Sequence, residues 1–561
     1  MLYNQVTTTT AGNKIHKSAD LGDTVPLFSQ LGMYWRFARD LRKFLKDPIT
    51  LEQSRQIVRQ RLLDREEYLL AIVKRTVYDN KRSPYLELLR LAGCEYGDFE
   101  GMARSVGIED TLKKLCEKGV YVTIEEFKCK KEIKRGSKSF QVKERDFDNP
   151  CLSHHFEVRS GGSRSAGTRT LYDYEFLAAN RAVSLRLLLD AYNAFDIPHA
   201  FCFHIMPGGG PSRMLVQAKV GKIPVKWFSQ VDTRNFKPSL KNRLGNDYII
   251  YMGRIFGAKF PRPEFVSMDN THQIAKWMAD TIKRQGGCYM ATFTSTAVRI
   301  CHASRQNGLD ISGAKFSVTG EPITEAKRKE IEAVGASVCP HFVFTEAGYV
   351  GIGCFSPFEA DDVHFLKDSF ALIQHRRQVP HAGASVDAFL FTSLLLSGPK
   401  VLLNVESGDY GVVETRSCGC KFEELGLTEH IHHIRGFDKL TSAGMTFIGT
   451  DLLRIMDHVL PARFGGSSTD YQIVEEEDSK GHTSMNILVS PDVGSIDEKE
   501  LIHTVLAELG RGQDSNRLMA EVWAESNTLR VKRIRPLATA RGKILPLHIQ
   551  KLEKGEYIDR S

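Results

Sequence analysis

From Leu51 the chain runs LEQSRQIVRQRLLDREEYLLAIVKRTV, with apolar residues three and four apart and charges between them. That period is helical, and a helical region is expected over about residues 1–125. From about residue 150 the pattern shortens. Apolar runs at 200–205 (AFCFHI), 248–251 (YIIY) and 289–293 (YMATF) read as buried strands. They alternate with helix-like stretches such as THQIAKWMADTIKRQ and EAKRKEIEAVG, the second closed by Gly335 as a C-cap signal. Strand and helix in alternation imply an α/β unit with largely buried mixed sheets.

The pattern breaks again near residues 434–440. Beyond it, YQIV (471–474) and MNILVS (485–490) read as strands. SIDEKELIHTVLAELG reads as a helix with Ser495 as N-cap, Glu498 completing a capping box and Gly510 as C-cap. LMAEVWAE and LRVKRIRPL then alternate as strands. The expectation is a large unit over 1–436 and a small α+β unit over 437–561.

Length and composition narrow the classes. A chain of 561 residues, 42% apolar and 26% charged, can bury large cores without disulfide or metal staples. The formal charge of +8 is small for this length; it permits a phosphate-bearing ligand but gives no case for nucleic acid. A basic segment at 127–145 lacks the interleaved aromatics of a stacking platform and reads as a solvated hairpin. The most apolar stretch, AFLFTSLLL at 388–396, is about half the length that crosses a bilayer. The N-terminal stretch has no signal-peptide pattern, and eleven cysteines are too few for a disulfide scaffold, so a cytoplasmic protein is expected.

Four segments carry candidate chemistry. RSGGSRSAGTRT (159–170) combines glycines, hydroxyls and arginines that could cradle phosphate oxygens, although it lacks Walker spacing and could equally be a plain Ser/Gly loop. TGEPITEAKRKEIEAVGASVCPHFVFTEAGYVGIGC (319–354) opens a helix near Gly320, Glu321 and Pro322. It then places Thr345 and Glu346 at the C-terminal end of a strand, where α/β ligand sites form. ESGDYGVVETRSCGC (406–420) holds Asp409 in an apparent Gly-Asp-Tyr-Gly turn, serving either the backbone or a sugar diol. ARGKILPL sets Lys543 after Gly542.

In this order and spacing the segments resemble the adenylate-forming (acyl-CoA synthetase) superfamily, in its phenylacetate–CoA ligase and acyl-protein synthetase branch. The resemblance spans about residues 154–546. Ser160, Gly161, Gly162 and Ser163 look like the family's phosphate loop, and Gly320, Glu321 and Pro322 like its adenine-contacting segment. FVFTE is similar to the YGxTE motif, which implies nucleotide contacts by Phe342 and Thr345 and makes Glu346 a catalytic magnesium ligand. SGDYG resembles TGDLG and implies ribose binding by Asp409. FDKL falls at the family's hinge (Asp438, Lys439), beside Arg435 as a nucleotide contact, and Lys543 falls on its catalytic lysine. The chain departs from the pattern at Arg164, Gly162 and Val343, and its Arg435-Gly436 reverses the usual order. His204, Phe203 and Tyr349 are candidate walls of an acyl pocket, with ordinary core packing as the alternative.

Cys354, His364, Cys418 and Cys420 offer three thiolates and one imidazole, a set suited to tetrahedral zinc. Family members of the phenylacetate type carry a similar pattern; buried unmetallated cysteines are the alternative. Because four protein ligands leave no open position, the zinc would be structural. His430, His432 and His433 read as ordinary strand histidines.

The resemblance therefore implies an enzyme using ATP and magnesium to convert a small carboxylic acid into an acyl-adenylate, releasing pyrophosphate. The acyl group then passes to a thiol acceptor: coenzyme A, a carrier protein or a protein cysteine. The alternatives are an amine acceptor, or a non-catalytic zinc-stabilised binding protein on the same fold.

Overall fold

The computed structural model describes residues 27–159, 168–206, 208–230, 240–378, 385–436, 439–442, 445–448, 454–478, 483–511, 514–537 and 547–549. Helices dominate the N-terminal part, among them Leu27–Lys46, Leu51–Leu63, Arg65–Val73, Tyr96–Val106 and Ile108–Glu117. Thr50 caps the second of these with a full capping box.

A twelve-stranded mixed sheet forms the centre. Its strands are β1 (His199–Cys202), β2 (Lys226–Ser229), β3 (Pro263–Phe265), β4 (Cys288–Phe293), β5 (Ala314–Thr319) and β6 (Ser337–Phe344), followed by β7 (Gly348–Gly353), β8 (Val363–Phe365), β9 (Phe370–Gln378), β10 (Ser385–Ser393), β11 (Val405–Thr415) and β12 (Glu429–Gly436). The spatial order is β9-β10-β11-β12-β8-β7-β6-β5-β4-β1-β2-β3. Strands β1 to β6 pair in parallel and β6 to β12 antiparallel. The parallel half needs crossovers, and helices such as Gly210–Lys219, His272–Gln285 and Thr294–Gln306 supply them.

A separate four-stranded sheet, β13 (Tyr471–Glu477), β14 (Thr483–Val489), β15 (Leu529–Lys532) and β16 (Leu547–Ile549), follows with helices Glu498–Leu509 and Asp514–Glu525. Its core includes Ile473, Ile487, Leu501, Val505 and Trp523. Met268 packs against this core, and Arg299 donates to the Ser526 carbonyl at 2.8 Å. The fold is thus α/β with a small α+β C-terminal unit, as the alternation implied.

Four local readings are corrected. YIIY lies inside the helix Leu240–Ile255: Ile249 and Ile250 are buried while Tyr251 is exposed, a one-sided burial that a run of four apolar residues cannot reveal. LMAEVWAE is helical, because Ala520 and Trp523 bury one face three residues apart. Asp497, not Ser495, caps the helix that follows it, accepting from the Lys499 and Glu500 amides. Asp409 lies within β11 rather than in a turn. The register slips between Tyr410 and Val412, so the glycines mark a bulged strand.

Candidate functional site

Strands β5 and β6 are parallel neighbours, so their C-terminal ends bring two of the sequence motifs side by side. Gly320, Glu321 and Pro322 leave the end of β5, and the Ser295 hydroxyl donates to Glu321 Oε1 at 2.7 Å. Thr345 and Glu346 leave the end of β6, and the Thr345 carbonyl accepts from the Tyr172 hydroxyl at 2.7 Å. Tyr172 belongs to the strand Arg169–Tyr172, which pairs with Phe156–Arg159 to carry the loop at 160–167. That loop's Ser160, Gly161, Gly162, Ser163 and Arg164 lie outside the described residues. So do Asp438 and Lys543, while Lys439 opens the strand Lys439–Ser442.

The Lys128 ammonium joins the loop to the carboxylate. It donates to Thr168 Oγ1 at 2.5 Å and to Glu346 Oε1 at 2.6 Å. Burial pushes the Glu346 carboxyl up, but the Lys128 charge and hydrogen bond outweigh it and hold the group below its usual range. Lys128 was not singled out by sequence reading: it begins the basic segment read as a solvated hairpin. The hairpin exists, at Ile133–Arg135 and Lys138–Phe140, but Lys128 turns inward. A capping box at Thr123 and Glu126 folds the short helix Ile124–Phe127 that aims it. Beside Glu346 a cavity of about 10 Å³, room for about one water, is lined by Asn180, Ser393 and Lys400.

The same helix touches the Asp409 strand. Glu406 on β11 accepts from the Ile124 amide at 3.0 Å, and Arg377 forks onto Glu125 at 2.7 and 2.9 Å. Asp409 is buried opposite Gly436, and Tyr410 lies opposite Arg435. Arg435 is held by Asp361 at 3.0 Å, and the same carboxylate accepts from the His433 and Ile434 amides. Phe342 meets Phe344, Phe389 and Phe391 edge to face, so here its ring belongs to an aromatic cluster of the sheet.

Behind the strand ends lies a polar interior. The Tyr349 amide donates to Asn180 Oδ1 at 3.1 Å, and its hydroxyl accepts from Arg213 Nη1 at 2.5 Å. Gly348 adopts φ +88°, and a Cβ there would meet Asn180 Oδ1 at 2.3 Å, so only glycine permits this approach. His341 contacts Tyr349 at 5.2 Å, and its Nε2 lies 2.6 Å from Ser317 Oγ. Phe203 lies under Arg213 at 4.7 Å, and His204 meets Phe293 at 5.3 Å. Burial lowers His204 to about 3, keeping it neutral. Phe203, His204 and Tyr349 are all buried, and Arg213 lies over both Phe203 and Tyr349.

Cys354, His364, Cys418 and Cys420 converge, with all ligating atoms within 4.8 Å of one another. His364 Nε2 lies 3.7 Å from Cys418 Sγ and 3.1 Å from Cys420 Sγ. Ligands around a tetrahedral zinc stand ~3.5–3.8 Å apart. His364 Nδ1 lies 2.7 Å from the Leu427 carbonyl, which fixes the proton there and leaves Nε2 free to ligate. The tight Cys-x-Cys bite is reached through Gly419 at φ +69°, and Glu423 accepts from the Cys418 and Gly419 amides at 2.8 and 2.5 Å. Cys420 is held down, chiefly by a hydrogen bond from Cys354 and then by His364, whereas Cys354 is raised. The donor set and second shell fit zinc. The neighbouring group of Cys354, Asp362 and His430 is different: Asp362 is committed to His430 at 2.8 Å and to Arg416.

No family model and no curated protein matches the chain. Solved structures do. A 2-hydroxyisobutyryl-CoA ligase with its acyl-AMP and CoA matches over 94% of this chain and 94% of its own, at 12% identity and TM-score 0.46. A variant of an amide bond synthetase from Marinactinospora thermotolerans matches over 90% and 97%, at 10% identity and TM-score 0.38. An anthranilate CoA ligase with anthranoyl-AMP matches over 69% and 65%, at 11% identity and TM-score 0.28. The first and third of these structures hold an acyl-AMP. With TM-scores below 0.5 they carry no functional argument, which rests on the residues.

Proposed function

We propose that the chain is an ATP-dependent carboxylate-activating enzyme. The observation that carries this reading is Lys128, whose ammonium bridges the base of the Ser/Gly loop and Glu346 at the end of β6. A cation between an anion-cradling loop and a buried carboxylate suits a triphosphate, whose charge needs both backbone donors and cations.

In this reading a carboxylate attacks the α-phosphorus, the bond to the β-phosphate breaks, and pyrophosphate leaves. Ser160, Gly161, Gly162 and Ser163 cradle the triphosphate. Asp409 accepts from the ribose hydroxyls, and Gly320, Glu321 and Pro322 border the adenine with Thr345. Arg435 stands by for the nucleotide once Asp361 releases it. Glu346 is an oxygen donor of the kind magnesium takes, and would share its carboxylate between the ion and Lys128. Magnesium, when bound, spreads charge over the phosphate oxygens. Lys543 reaches the cleft when the C-terminal unit closes about Asp438 and Lys439, and stabilises the developing charge. A thiol then takes the acyl group and AMP leaves. Coenzyme A or a carrier protein is the proposed acceptor, and an amine the alternative. Cys354, His364, Cys418 and Cys420 would hold a structural zinc.

The test is the nucleotide product. With a turned-over acid, chromatography should find AMP and pyrophosphate; ADP and phosphate would sink the assignment.

A further inference from the structure

Among the described residues four arginines are buried: Arg61, Arg169, Arg181 and Arg213. Two have acids. Arg61 pairs with Asp368 at 3.4 Å, and Arg169 pairs with Asp148. Arg181 and Arg213, 8% and 5% exposed, have no ion-pair partner among the described residues. Arg213 bonds the Tyr349 hydroxyl and lies over Phe203. Arg181 reaches Ser212 Oγ only at 3.5 Å, lies 5.8 Å from the centroids of both Tyr172 and Tyr349, and leaves its buried Nε without a partner. A guanidinium carries five donors, and among the described residues each of this pair has one side-chain acceptor, Ser212 for Arg181 and Tyr349 for Arg213. Burying a cation without an anion is costly, and two of them meeting at one tyrosine repel each other. An anion supplied from outside would relieve both.

The position says which part of a ligand that anion belongs to. The nucleotide motifs stand at the C-terminal ends of β5 and β6 and on β11. Arg213 instead faces Tyr349, whose other neighbour His341 lies three residues back from the end of β6. Ser317, on His341, lies two residues back from the end of β5. The guanidinium pair therefore lies beside the strand ends, bordering the interior that holds His341 and Ser317, where the body of the acid would lie. The pair comes from two elements, the π-helical turn Leu177–Ala182 and the helix Gly210–Lys219, both packed on this interior. A π-turn re-aims side chains and is frequent at functional sites.

We infer that the acid this site takes carries a second anionic group, a carboxylate or a phosphate, held by Arg181 and Arg213. This rests on the carboxylate-activating reading. The distal anion would accept from both guanidinium groups, leaving the other carboxylate to meet the α-phosphate.

The experiment compares α,ω-dicarboxylates from succinate to sebacate, terephthalate and phosphonobutyrate with the matched monocarboxylates, by ATP–pyrophosphate exchange. The wild type should favour a doubly anionic acid over its match by at least about a hundredfold, since a site built to bond a charged group rejects the analogue lacking it. The phosphonate arm separates a phosphate from a carboxylate as the distal group. Arg213→Gln should shrink that ratio at least ~30-fold, and Arg213→Lys should restore part of it. Monocarboxylates used as well as their matches, or a ratio unchanged in Arg213→Gln, would overturn the inference while leaving acid activation standing. If no acid supports exchange, the activating reading falls. Calorimetry of the same diacids without nucleotide then decides the anion site: binding lost in Arg213→Gln supports it, and no binding overturns it.

Discussion

The Cys/His cluster and the interior behind the strand ends are both buried, both rich in ionisable groups and both anchored on β7, yet they are finished to different degrees. Around His364 each group has its complement within the chain. The Leu427 carbonyl fixes the imidazole, Glu423 pins the turn through Cys418 and Gly419, and four ligand atoms face one point. Around Tyr349 no described residue pairs with the two buried guanidinium groups, which face aromatic rings and hydroxyls. Closed sites of the first kind hold structure, and sites left open to a ligand do chemistry. The contrast assigns stability to one and substrate choice to the other.

That contrast can be broken by mutation. Cys420→Ser should give the largest stability loss, on the order of 5 kcal/mol, because a structural zinc contributes its binding free energy to folding. Elemental analysis should find the zinc gone and calorimetry a melting point about 4–5 °C lower; an unaltered metal content would contradict the assignment. Lys543→Ala should slow adenylate formation about 10²–10³-fold, the loss of one preorganised charge-stabilising donor. Acyl transfer from presynthesised adenylate should be nearly spared, and equal losses in both half-reactions would argue against a moving lysine.

Lys128→Met should cost about 3 kcal/mol, since it strands a buried carboxylate. In the wild type Glu346 titrates below its ordinary 4.5, so the pair's contribution is complete above that pH and is lost as pH falls through the lowered value. In the variant the Lys128 charge no longer offsets burial, so Glu346 moves up, restrained by its backbone and Thr168 hydrogen bonds. Denaturation over a pH series should therefore show the deficit largest near neutrality and narrowing on acidification to below pH 4.5. A deficit independent of pH would mean Lys128 acts by packing. Gly348→Ala has the smallest expected effect, about 2 kcal/mol, from a Cβ driven into Asn180 at a positive φ. It should weaken acid binding while leaving zinc content unchanged, which separates the two regions.

What could be read in advance follows the same division. Cysteine and histidine announce ligation by residue type, so Cys354, His364, Cys418 and Cys420 were visible without a fold. Glu346 and Asp409 were visible because their motifs are local, although the bulge that puts Asp409 inside β11 depends on pairing with β12. Lys128 was hidden among other lysines: only the fold of Ile124–Phe127 distinguishes it from its solvated neighbours. Arg181 and Arg213 were hidden more deeply. What marks them is that no acid among the described residues pairs with them, a fact about tertiary neighbours that no local pattern encodes. YIIY failed as a strand for a related reason: Ile249 and Ile250 share a core with Phe260, which packs on Gly253 of the same helix, outside the run itself.

The proposed reaction is attack of a carboxylate oxygen on the α-phosphorus of ATP beside Glu346 and Asp409. Its most direct test supplies an accepted acid labelled with heavy oxygen in its carboxyl group and weighs the nucleotide product. Acyl transfer from an acyl-adenylate breaks the acyl carbon–oxygen bond, so the account predicts AMP carrying one labelled oxygen from the acid. AMP without label, or label in inorganic phosphate, would contradict it.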